Sequence, residues 1–460
     1  MEDDSAARAQ ALFQQGEELL APGEWALAEQ DLRQAIALAP HFAEAHANLG
    51  YVRYQQGDPT EAEACYRTAI GLDATHPAIH LNLGALLARQ KRHAEAEACY
   101  AAALALEPES SAVWSNLGAL NLNLQHEDTA EDCLRHAIAL DADNARARFN
   151  LAYLQLRRGN FEEGWALLEA RDWYQGLARQ LNIPRWQGEP LHGKSLLVGY
   201  EAGHGDMIQF CRYIPWLQAQ GARHITLLCH PALKTLLGTL QGVDQVRAFD
   251  DAAPLPPHDV WMRLLSAPGL AQTREDSIPA PLPYLHADAA LCAHWRPLLP
   301  AGPGLRVGLV WKGNPQFEND RDRSLPHLQT LAPLWGVPGV QFISLQKGRG
   351  EEEVTQCQAT QAMVDLGSLL RDFADAAAIV SQLDLVISVD TATAHLAGAL
   401  GKPCWLLLPW YMADWRWGAQ GPQTPWYPGV MQLFRQPRDG DWASVVDAIG
   451  TALQARATAK

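Results

Sequence analysis

A 34-residue repeat covers the first third of the chain and constrains the fold more than any other feature of the sequence. The tripeptide Asn-Leu-Gly, or Asn-Leu-Ala in its last copy, recurs at residues 48–50, 82–84, 116–118 and 150–152. Pairs of alanine with isoleucine or leucine keep the same interval at residues 35–36, 69–70, 103–104 and 137–138. Each unit contains two amphipathic segments and a turn, so we predict helix pairs that stack into a solenoid.

The length and the pattern of this unit resemble the tetratricopeptide repeat. In one unit, "AEAHANLGYVRYQQG" gives the first helix, "DPT" the turn and "EAEACYRTAIGLD" the second helix. Four units are clear and end near Arg171, and a weaker leading unit starts near Ala11. We therefore predict an α-solenoid of tetratricopeptide repeats over residues 1–171.

The repeated asparagine has two interpretations. Asparagine is a poor residue for a helix interior, so its recurrence requires a reason. Each asparagine either braces its own helix pair, or the four amides form a ladder along the groove of the solenoid. Such a ladder resembles the one in the repeats of the eukaryotic O-GlcNAc transferase. That resemblance implies a polypeptide partner bound by Asn48, Asn82, Asn116 and Asn150.

Composition and charge exclude several classes of protein. The chain has 52 acidic against 36 basic residues and a net charge of −16, which argues against a nucleic-acid partner. The start "MEDDSAARAQ" does not resemble a signal peptide, and no apolar run is long enough for a transmembrane segment. The eight cysteines lack metal-binding spacing, and three of them follow the repeat. We expect a cytoplasmic protein with reduced thiols and no metal or other cofactor.

The second half of the chain alternates short apolar strands with helices. Strands are predicted at residues 195–200, 225–229, 243–249, 259–265, 306–311, 340–346, 383–390, 403–409 and 430–436, and the longest early helix at 207–221. A Pro/Gly linker interrupts the series at 298–304. This pattern predicts mostly parallel sheets in two Rossmann-like α/β domains. The predicted boundaries are 172–192 for a linker helix and connector, 193–302 for the first domain and 303–460 for the second.

The loop after the first strand contains Gly203, His204, Gly205 and Asp206. Ligands of open parallel sheets bind beyond the carboxyl ends of the strands, so this loop is a candidate site. Glycines allow the backbone to approach a ligand closely. Asp206 is either a helix N-cap or a base that faces the cleft between the domains.

Cationic and polar residues follow the first two strands of the second domain. After the first strand come Lys312, Asn314, Arg321 and Arg323, and cations at a strand end suit a phosphate. Gln346 closes the next strand and is placed to reach the same cleft. The alternative interpretation is a solvated charged loop.

The loop after the strand at 383–390 opens a helix of small residues. Asp390 ends the strand, and Thr391, Ala392 and Thr393 begin the helix, whose amide groups suit a pyrophosphate. His395 lies on the first turn and is either a ligand contact or a packing residue. The small side chains of this helix also fit close helix–sheet packing.

Together these loops resemble the catalytic part of bacterial tetratricopeptide-containing glycosyltransferases, which is similar to the ADP-heptose:lipopolysaccharide heptosyltransferases. The motifs that carry the resemblance are "GHGDMIQFCRY", "WKGNPQFENDRDRS", "SLQ", "DTATAHLAGALGKP" and "PWYP". The resemblance implies a GT-B arrangement of the two domains. It also implies that Asp206 is the general base, that residues 390–393 hold the donor sugar and diphosphate, and that Lys312 lies near the diphosphate.

The prediction is a metal-independent glycosyltransferase that moves a sugar from a nucleotide-sugar to hydroxyl groups of a protein, by analogy with flagellin glycosyltransferases. The alternatives are a lipopolysaccharide-type transferase and a non-catalytic scaffold that binds proteins. In the segment "WRWGAQGPQTPWYPG", we predict Trp426 in domain packing and Trp415 at the rim of the cleft. The sugar, the nucleotide, the acceptor and the number of subunits are not specified by the sequence.

Overall fold

A computed structural model describes residues 2–171, 181–279, 281–317, 319–357 and 363–459. The chain divides into two compact units, Met1–Leu151 and Ala152–Lys460. The helix predicted at the start of the 172–192 connector lies largely outside the described residues. Within them, no helix is long and apolar enough to cross a membrane.

The first unit is helical, and its helices pair as the repeat predicts. The pairs are α1 (Glu2–Glu18) with α2 (Trp25–Leu38), α3 (Ala43–Gln55) with α4 (Pro59–Leu72), α5 (Pro77–Arg89) with α6 (His93–Leu106), and α7 (Ser111–Asn123) with α8 (Glu127–Leu140). A last pair, α9 (Ala145–Arg157) and α10 (Phe161–Leu168), follows, and the division between the two units falls within α9. The predicted solenoid of tetratricopeptide repeats is confirmed, and its leading pair starts at Glu2 rather than near Ala11.

Local sequence explains both where these helices begin and how closely they pack. Asp58 caps α4 by accepting a hydrogen bond from the Glu61 amide at 3.0 Å, and Pro59 occupies the first helical position. At the contact between α7 and α8, a Cβ atom added to Gly118 would lie 2.5 Å from Cγ of Leu134. The glycine of the repeated tripeptide is therefore required by close helix packing.

Replacing Gly118 with alanine is expected to destabilise the first unit by about 1–3 kcal/mol, because the added methyl group overpacks the α7–α8 contact. Gly71 provides a matched control, since it lies in α4 with no atom within 4 Å of an added Cβ. Gly71→Ala is expected to stabilise the helix by roughly 0.5–1 kcal/mol. The midpoint of urea unfolding is expected to fall in Gly118→Ala and to rise in Gly71→Ala. Equal midpoints in the two variants would contradict the packing explanation.

The second unit contains two parallel sheets, as predicted. The strands are β1 (Ser195–Gly199), β2 (His224–Cys229), β3 (Gln245–Ala248), β4 (Val260–Arg263), β5 (Leu305–Val310), β6 (Val340–Ser344), β7 (Val364–Asp365), β8 (Leu385–Val389), β9 (Cys404–Leu408) and β10 (Met431–Arg435). The first sheet has the order β3-β2-β1-β4, and the second has the order β10-β9-β8-β5-β6-β7. All pairings are parallel, so the carboxyl ends of each sheet's strands lie at one edge.

Helices connect these strands and cover the sheets. They are α11 (His204–Phe210), α12 (Ile214–Ala219), α13 (Lys234–Leu237), α14 (Ala267–Leu270), α15 (Ala289–Trp295), α16 (Asp320–Arg323), α17 (Glu351–Cys357), α18 (Phe373–Val380), α19 (Ala392–Ala399) and α20 (Trp442–Thr458). The single helix predicted at 207–221 is instead α11, a 3₁₀ turn and α12. Pro215 lacks an amide donor, which explains why the helix restarts there.

An indole cluster packs within the second unit. The ring of Trp415 lies 5.4 Å from that of Trp165 on α10 and 5.7 Å from that of Trp426. All three indoles are buried, and Trp165 donates a hydrogen bond to the Thr273 carbonyl at 2.9 Å. Trp426 therefore has the packing position expected of it. The prediction of Trp415 at the cleft rim is wrong, because its ring is enclosed by the other two.

Candidate active site

The loop after β1 and the loop after β8 meet where α11 and α19 begin. A Cβ atom added to Gly205 would lie 2.8 Å from Cδ2 of His395 and 3.5 Å from Cα of Ala392. The two helices can approach this closely because position 205 has no side chain. The contact brings the first turn of α11, which contains Asp206, beside residues 390–395.

Asp206 lies at the third position of α11 rather than at the predicted N-cap, which is Gly203, and its role as a base stays a prediction. Its Oδ2 accepts a hydrogen bond from the Gly203 amide at 2.9 Å, which helps to cap α11. Its Oδ1 accepts a hydrogen bond from Nη2 of Arg416. The side chain remains 24% exposed, and each carboxylate oxygen has a further lone pair, so the group is able to accept a proton.

Arg416 is the central cation of the site, and sequence reasoning missed it. Its Nη1 donates to both oxygens of Asp414 at 3.0 and 2.9 Å, and its Nε donates to Oε1 of Gln209 at 2.5 Å. The guanidinium is buried, with its Cζ 5.2 Å from the centre of the Phe210 ring and 4.8 Å from that of Trp415. Arg416 therefore connects α11 of the first sheet with the loop that follows β9.

Burial and neighbouring charges perturb the carboxylates. Burial raises the pKa of Asp206, and the positive charge of Arg416 opposes that rise. Burial and the negative charge of Asp414 raise the pKa of Asp390 to about 6. The Trp417 indole donates to Oδ2 of Asp390 at 2.8 Å and, with the charge of Arg323, limits this rise. Carboxylates with a raised pKa in one site are consistent with acid–base chemistry.

The residues after Asp390 form a helix start that is ordered by hydroxyl groups. Thr391 is the N-cap of α19, and its Oγ1 lies 2.9 Å from Oγ of Ser388. His395 packs inside, with Nδ1 2.9 Å from the Tyr427 hydroxyl and its ring 5.2 Å from that of Trp417. Burial lowers the pKa of His395 well below its ordinary value, so the imidazole is neutral at pH 7.

The predicted donor-binding residues after β5 and β6 do not all face this site. Nζ of Lys312 pairs with Glu353 in a buried ion pair. The Gln346 amide accepts from the backbone of Trp311 and Lys312 at 3.0 Å and donates to the Lys312 carbonyl at 3.1 Å. Gln346 therefore holds the ends of β5 and β6 together, and Lys312 ties the end of β5 to α17. A contact of Lys312 with a diphosphate remains a prediction, and it requires the pair with Glu353 to open.

The remaining cations of this loop are more accessible. The Arg323 guanidinium lies 4.5 Å from the centre of the Phe317 ring and pairs with Asp320. Its positive charge lowers the pKa of Asp390. Arg321 is exposed and has no ion pair with any described residue. Asn314 is also exposed and accepts from the Gln316 amide at 3.0 Å. Of the predicted set, Arg323 is the cation whose charge lowers the pKa of Asp390.

The repeated asparagines are mostly unpaired in the first unit. Asn116 donates to the Ala112 carbonyl at 2.9 Å, which is the local brace. The side chains of Asn48, Asn82 and Asn150 are half-buried and form no hydrogen bond with any described residue. Bracing comes instead from the repeat position two residues earlier, where His46, His80 and Trp114 donate to carbonyls six residues before them at 3.0, 3.0 and 2.9 Å.

No group of three or more His, Cys, Asp or Glu side chains is arranged to hold a metal ion in the part of the chain that the structure describes. The carboxylates of Asp206 and Asp414 share Arg416, and the Asp390 carboxylate accepts a hydrogen bond from the Trp417 indole. The signal that could have identified Arg416 was the segment "DWRW", in which a cation lies among indoles after a strand end.

Comparisons with known proteins agree with the two-part architecture. Tetratricopeptide-repeat models match residues 13–77, 52–111 and 111–144, and the model of glycosyltransferase family 9 (heptosyltransferase) matches residues 338–406. The latter range includes Asp390 to His395. Protein FlbA of Caulobacter vibrioides is 31% identical over 332 residues, which cover 66% of this chain and 54% of that protein.

Two further matches are shorter. The protein tyrosine phosphatase PRL-1 of Leishmania major is 35% identical over 83 residues, which cover 17% of this chain and 47% of that protein. The solved structure of PilF from Pseudomonas aeruginosa has 26% identity and a TM-score of 0.34, and covers 36% of this chain and 77% of that chain. The chain spans about half the length of the curated relatives it matches.

Proposed function

Because the chain combines tetratricopeptide repeats with a segment that matches glycosyltransferase family 9, we propose that it transfers a sugar from a nucleotide-sugar to hydroxyl groups of a protein. The observation that carries the proposal is the meeting of Asp206 with residues 390–395 at the starts of α11 and α19. A base and a diphosphate-binding helix start are the two parts that this reaction requires. The two parallel sheets are consistent with a GT-B arrangement around this point.

The proposed step balances as a displacement at the anomeric carbon. The acceptor hydroxyl gives its proton to Asp206 as its oxygen forms a bond to that carbon. The bond between the anomeric carbon and the phosphate oxygen breaks, and its electron pair leaves with the nucleoside diphosphate. Arg416 orients the Asp206 carboxylate and opposes its protonation, so that it is ready to accept the proton.

We propose that protein groups neutralise the leaving diphosphate without a metal ion. The support is the positive end of the α19 dipole together with Arg323, whose charge lowers the pKa of Asp390 next to the start of that helix. Initial rates are expected to be unchanged after treatment with EDTA and removal of the chelated metal. Restoration of a lost rate by added Mg²⁺ or Mn²⁺ would contradict this part of the proposal.

The proposed acceptor is a polypeptide, with a flagellin-like protein as the first candidate. Asn48, Asn82 and Asn150 keep amide donors and acceptors available, and an extended peptide backbone offers complementary groups at regular intervals. We also propose that the reaction takes place in the cytoplasm, where nucleotide-sugars are made. Intact-mass spectrometry of a co-expressed flagellin-like protein is the direct test. A sugar-sized mass increase that requires Asp206 supports the proposal.

The same experiment separates the alternatives. No mass increase on protein together with an altered lipopolysaccharide band would favour a lipopolysaccharide-type transferase. No change in either product would favour a non-catalytic scaffold.

Replacing Asn48 and Asn82 together with alanine is expected to raise KM for the protein acceptor by about 30-fold, since two peptide-facing hydrogen bonds of about 1 kcal/mol each are worth about 2 kcal/mol together. Hydrolysis of the donor by water, measured in parallel, reports whether the transferase site is intact. Gln34→Ala removes an exposed amide from α2 and is the matched control. An unchanged KM in the double variant would contradict the ladder.

A further inference from the structure

Three aromatic rings lie side by side at the carboxyl edge of the first sheet. Tyr200, His230 and Phe249 follow β1, β2 and β3 directly, and these strands are neighbours in the order β3-β2-β1. The ring of Tyr200 lies 5.0 Å from that of Phe249 and 5.6 Å from that of His230. The rings of His230 and Phe249 are 5.6 Å apart. This edge is where open parallel sheets bind their ligands.

Two more rings extend the cluster from other elements. His204, the first residue of α11, lies 4.7 Å from the ring of His230. On its other side it stacks on Phe373, the first residue of α18, at 5.2 Å. We call the five residues Tyr200, His204, His230, Phe249 and Phe373 the aromatic patch. It spans elements of both sheets and reaches the helix that contains Asp206.

The aromatic patch is not closed off as a core would be. The side chain of Phe249 is 47% exposed, and Tyr200 is half-buried. The Tyr200 hydroxyl and the His204 ring nitrogens form no hydrogen bond with any described residue, whereas His230 donates to the Ala202 carbonyl at 2.9 Å. Exposed rings with unpaired polar tips at a ligand-binding edge are typical of a recognition surface.

The surroundings of the aromatic patch offer little free positive charge. Burial and the neighbouring His230 lower the pKa of His204 to about 4, so its ring is uncharged at pH 7. The nearest cations on β3 and α13 are already paired, because Arg247 and Lys234 both bind Asp251 at 3.0 and 2.7 Å. No cation of these two elements is therefore available for a phosphorylated or acidic ligand.

We propose that the aromatic patch binds an apolar side chain of the polypeptide acceptor, next to the hydroxyl that receives the sugar. This inference rests on the proposed function, and it names the feature of the acceptor that is recognised near the base. His204 and Asp206 share the first turn of α11 but point to different faces. An acceptor that places its hydroxyl at Asp206 therefore reaches the patch with a neighbouring residue. Because the cations of β3 and α13 are paired with Asp251, the patch favours an uncharged peptide segment over an anionic glycan core.

The test uses the full chain and two synthetic peptides that share one serine, flanked by phenylalanine in one and by glycine in the other. The wild-type enzyme is expected to show a kcat/KM about 10-fold or more higher for the phenylalanine peptide, which is the usual discrimination of an apolar pocket. Phe249→Ala is expected to bring the ratio of the two kcat/KM values close to one. Tyr200→Phe keeps the ring and is expected to retain most of the preference.

Leu298→Ala is the matched control, because Leu298 is 45% exposed and lies outside the aromatic patch. It is expected to retain the full preference. Equal kcat/KM values for the two peptides with the wild-type enzyme would overturn the inference and leave protein glycosylation standing. A preference that persists in Phe249→Ala would overturn it as well.

A different failure identifies the proposed function itself as wrong. If neither peptide nor any protein is glycosylated, while Phe249→Ala raises KM for a lipopolysaccharide core oligosaccharide, the patch binds saccharide and the acceptor is not a polypeptide. If the peptides are glycosylated and the ratio of their kcat/KM values falls in Phe249→Ala but not in Leu298→Ala, both proposals are supported.

Discussion

Replacing Asp206 with asparagine is expected to lower kcat for sugar transfer by about 10²- to 10⁴-fold, the usual contribution of a positioned general base. The amide oxygen is able to accept the hydrogen bond from the Gly203 amide, so the start of α11 is preserved. Neither atom of the amide takes a proton from an acceptor hydroxyl at neutral pH. Product formation by mass spectrometry, together with circular dichroism of the variant, measures the two effects separately.

Asp414→Asn is the matched control for Asp206→Asn. Asp414 binds the same arginine through both carboxylate oxygens, but it lies in the loop after β9 rather than on the first turn of α11. Its loss is expected to affect stability more than chemistry, because Arg416 retains Asp206 and Gln209 as partners. If Asp206→Asn transfers sugar at the wild-type rate, Asp206 is not the base.

The features that the sequence predicted well are those set by short-range periodicity. The 34-residue interval predicts helix pairs because each unit is one supersecondary element, and the structure contains those pairs. Runs of buried apolar residues predict both ends of nine strands within two residues, because parallel strands are covered on both faces. The strand β7 was missed because two residues carry no period.

The features that the sequence did not predict depend on tertiary pairing. Lys312 has a charge suited to a phosphate, but Glu353, 41 residues later, neutralises it inside the domain. Asp206 and Arg416 are 210 residues apart, and no local pattern indicates that they meet. The pairing of Asp206 with the 390–395 loop was expected only through the resemblance to known transferases and the rule for sheet edges.

Replacing Arg416 with glutamine is the second change with a large expected effect. It leaves Asp206 and Asp414 without their shared cation in a buried site, which typically costs about 3–5 kcal/mol of folding stability. Arg67→Gln is the matched control, because Arg67 on α4 is 49% exposed and its partners Glu63 and Glu95 both keep an ion pair with Arg92. Its loss is expected to cost about 1 kcal/mol or less. Thermal unfolding of the two variants measures this contrast.

The pH dependence of transfer distinguishes a catalytic contribution of Arg416 from a structural one. Asp206 must be ionised to act as a base, so activity falls as the pH decreases through its pKa. Burial already raises that pKa, and Arg416 is the largest opposing influence, with Asp414 and Glu201 adding negative charge nearby. Removing the arginine therefore raises the pKa further and shifts the acid limb of kcat/KM to higher pH.

Asp390, with a pKa of about 6, titrates on the same limb, so the profile is measured in parallel with Asp390→Asn. The acid limb of the kcat/KM profile that persists in Asp390→Asn and moves to higher pH in Arg416→Gln is assigned to Asp206. Arg416→Lys keeps the charge but loses the planar fork that reaches Asp206, Asp414 and Gln209 together. Compared with Arg416→Gln, Arg416→Lys is expected to return the acid limb to its wild-type pH but to recover only part of the lost folding stability. An Arg416→Gln profile with the wild-type limb would show that the arginine supports the fold without tuning the base.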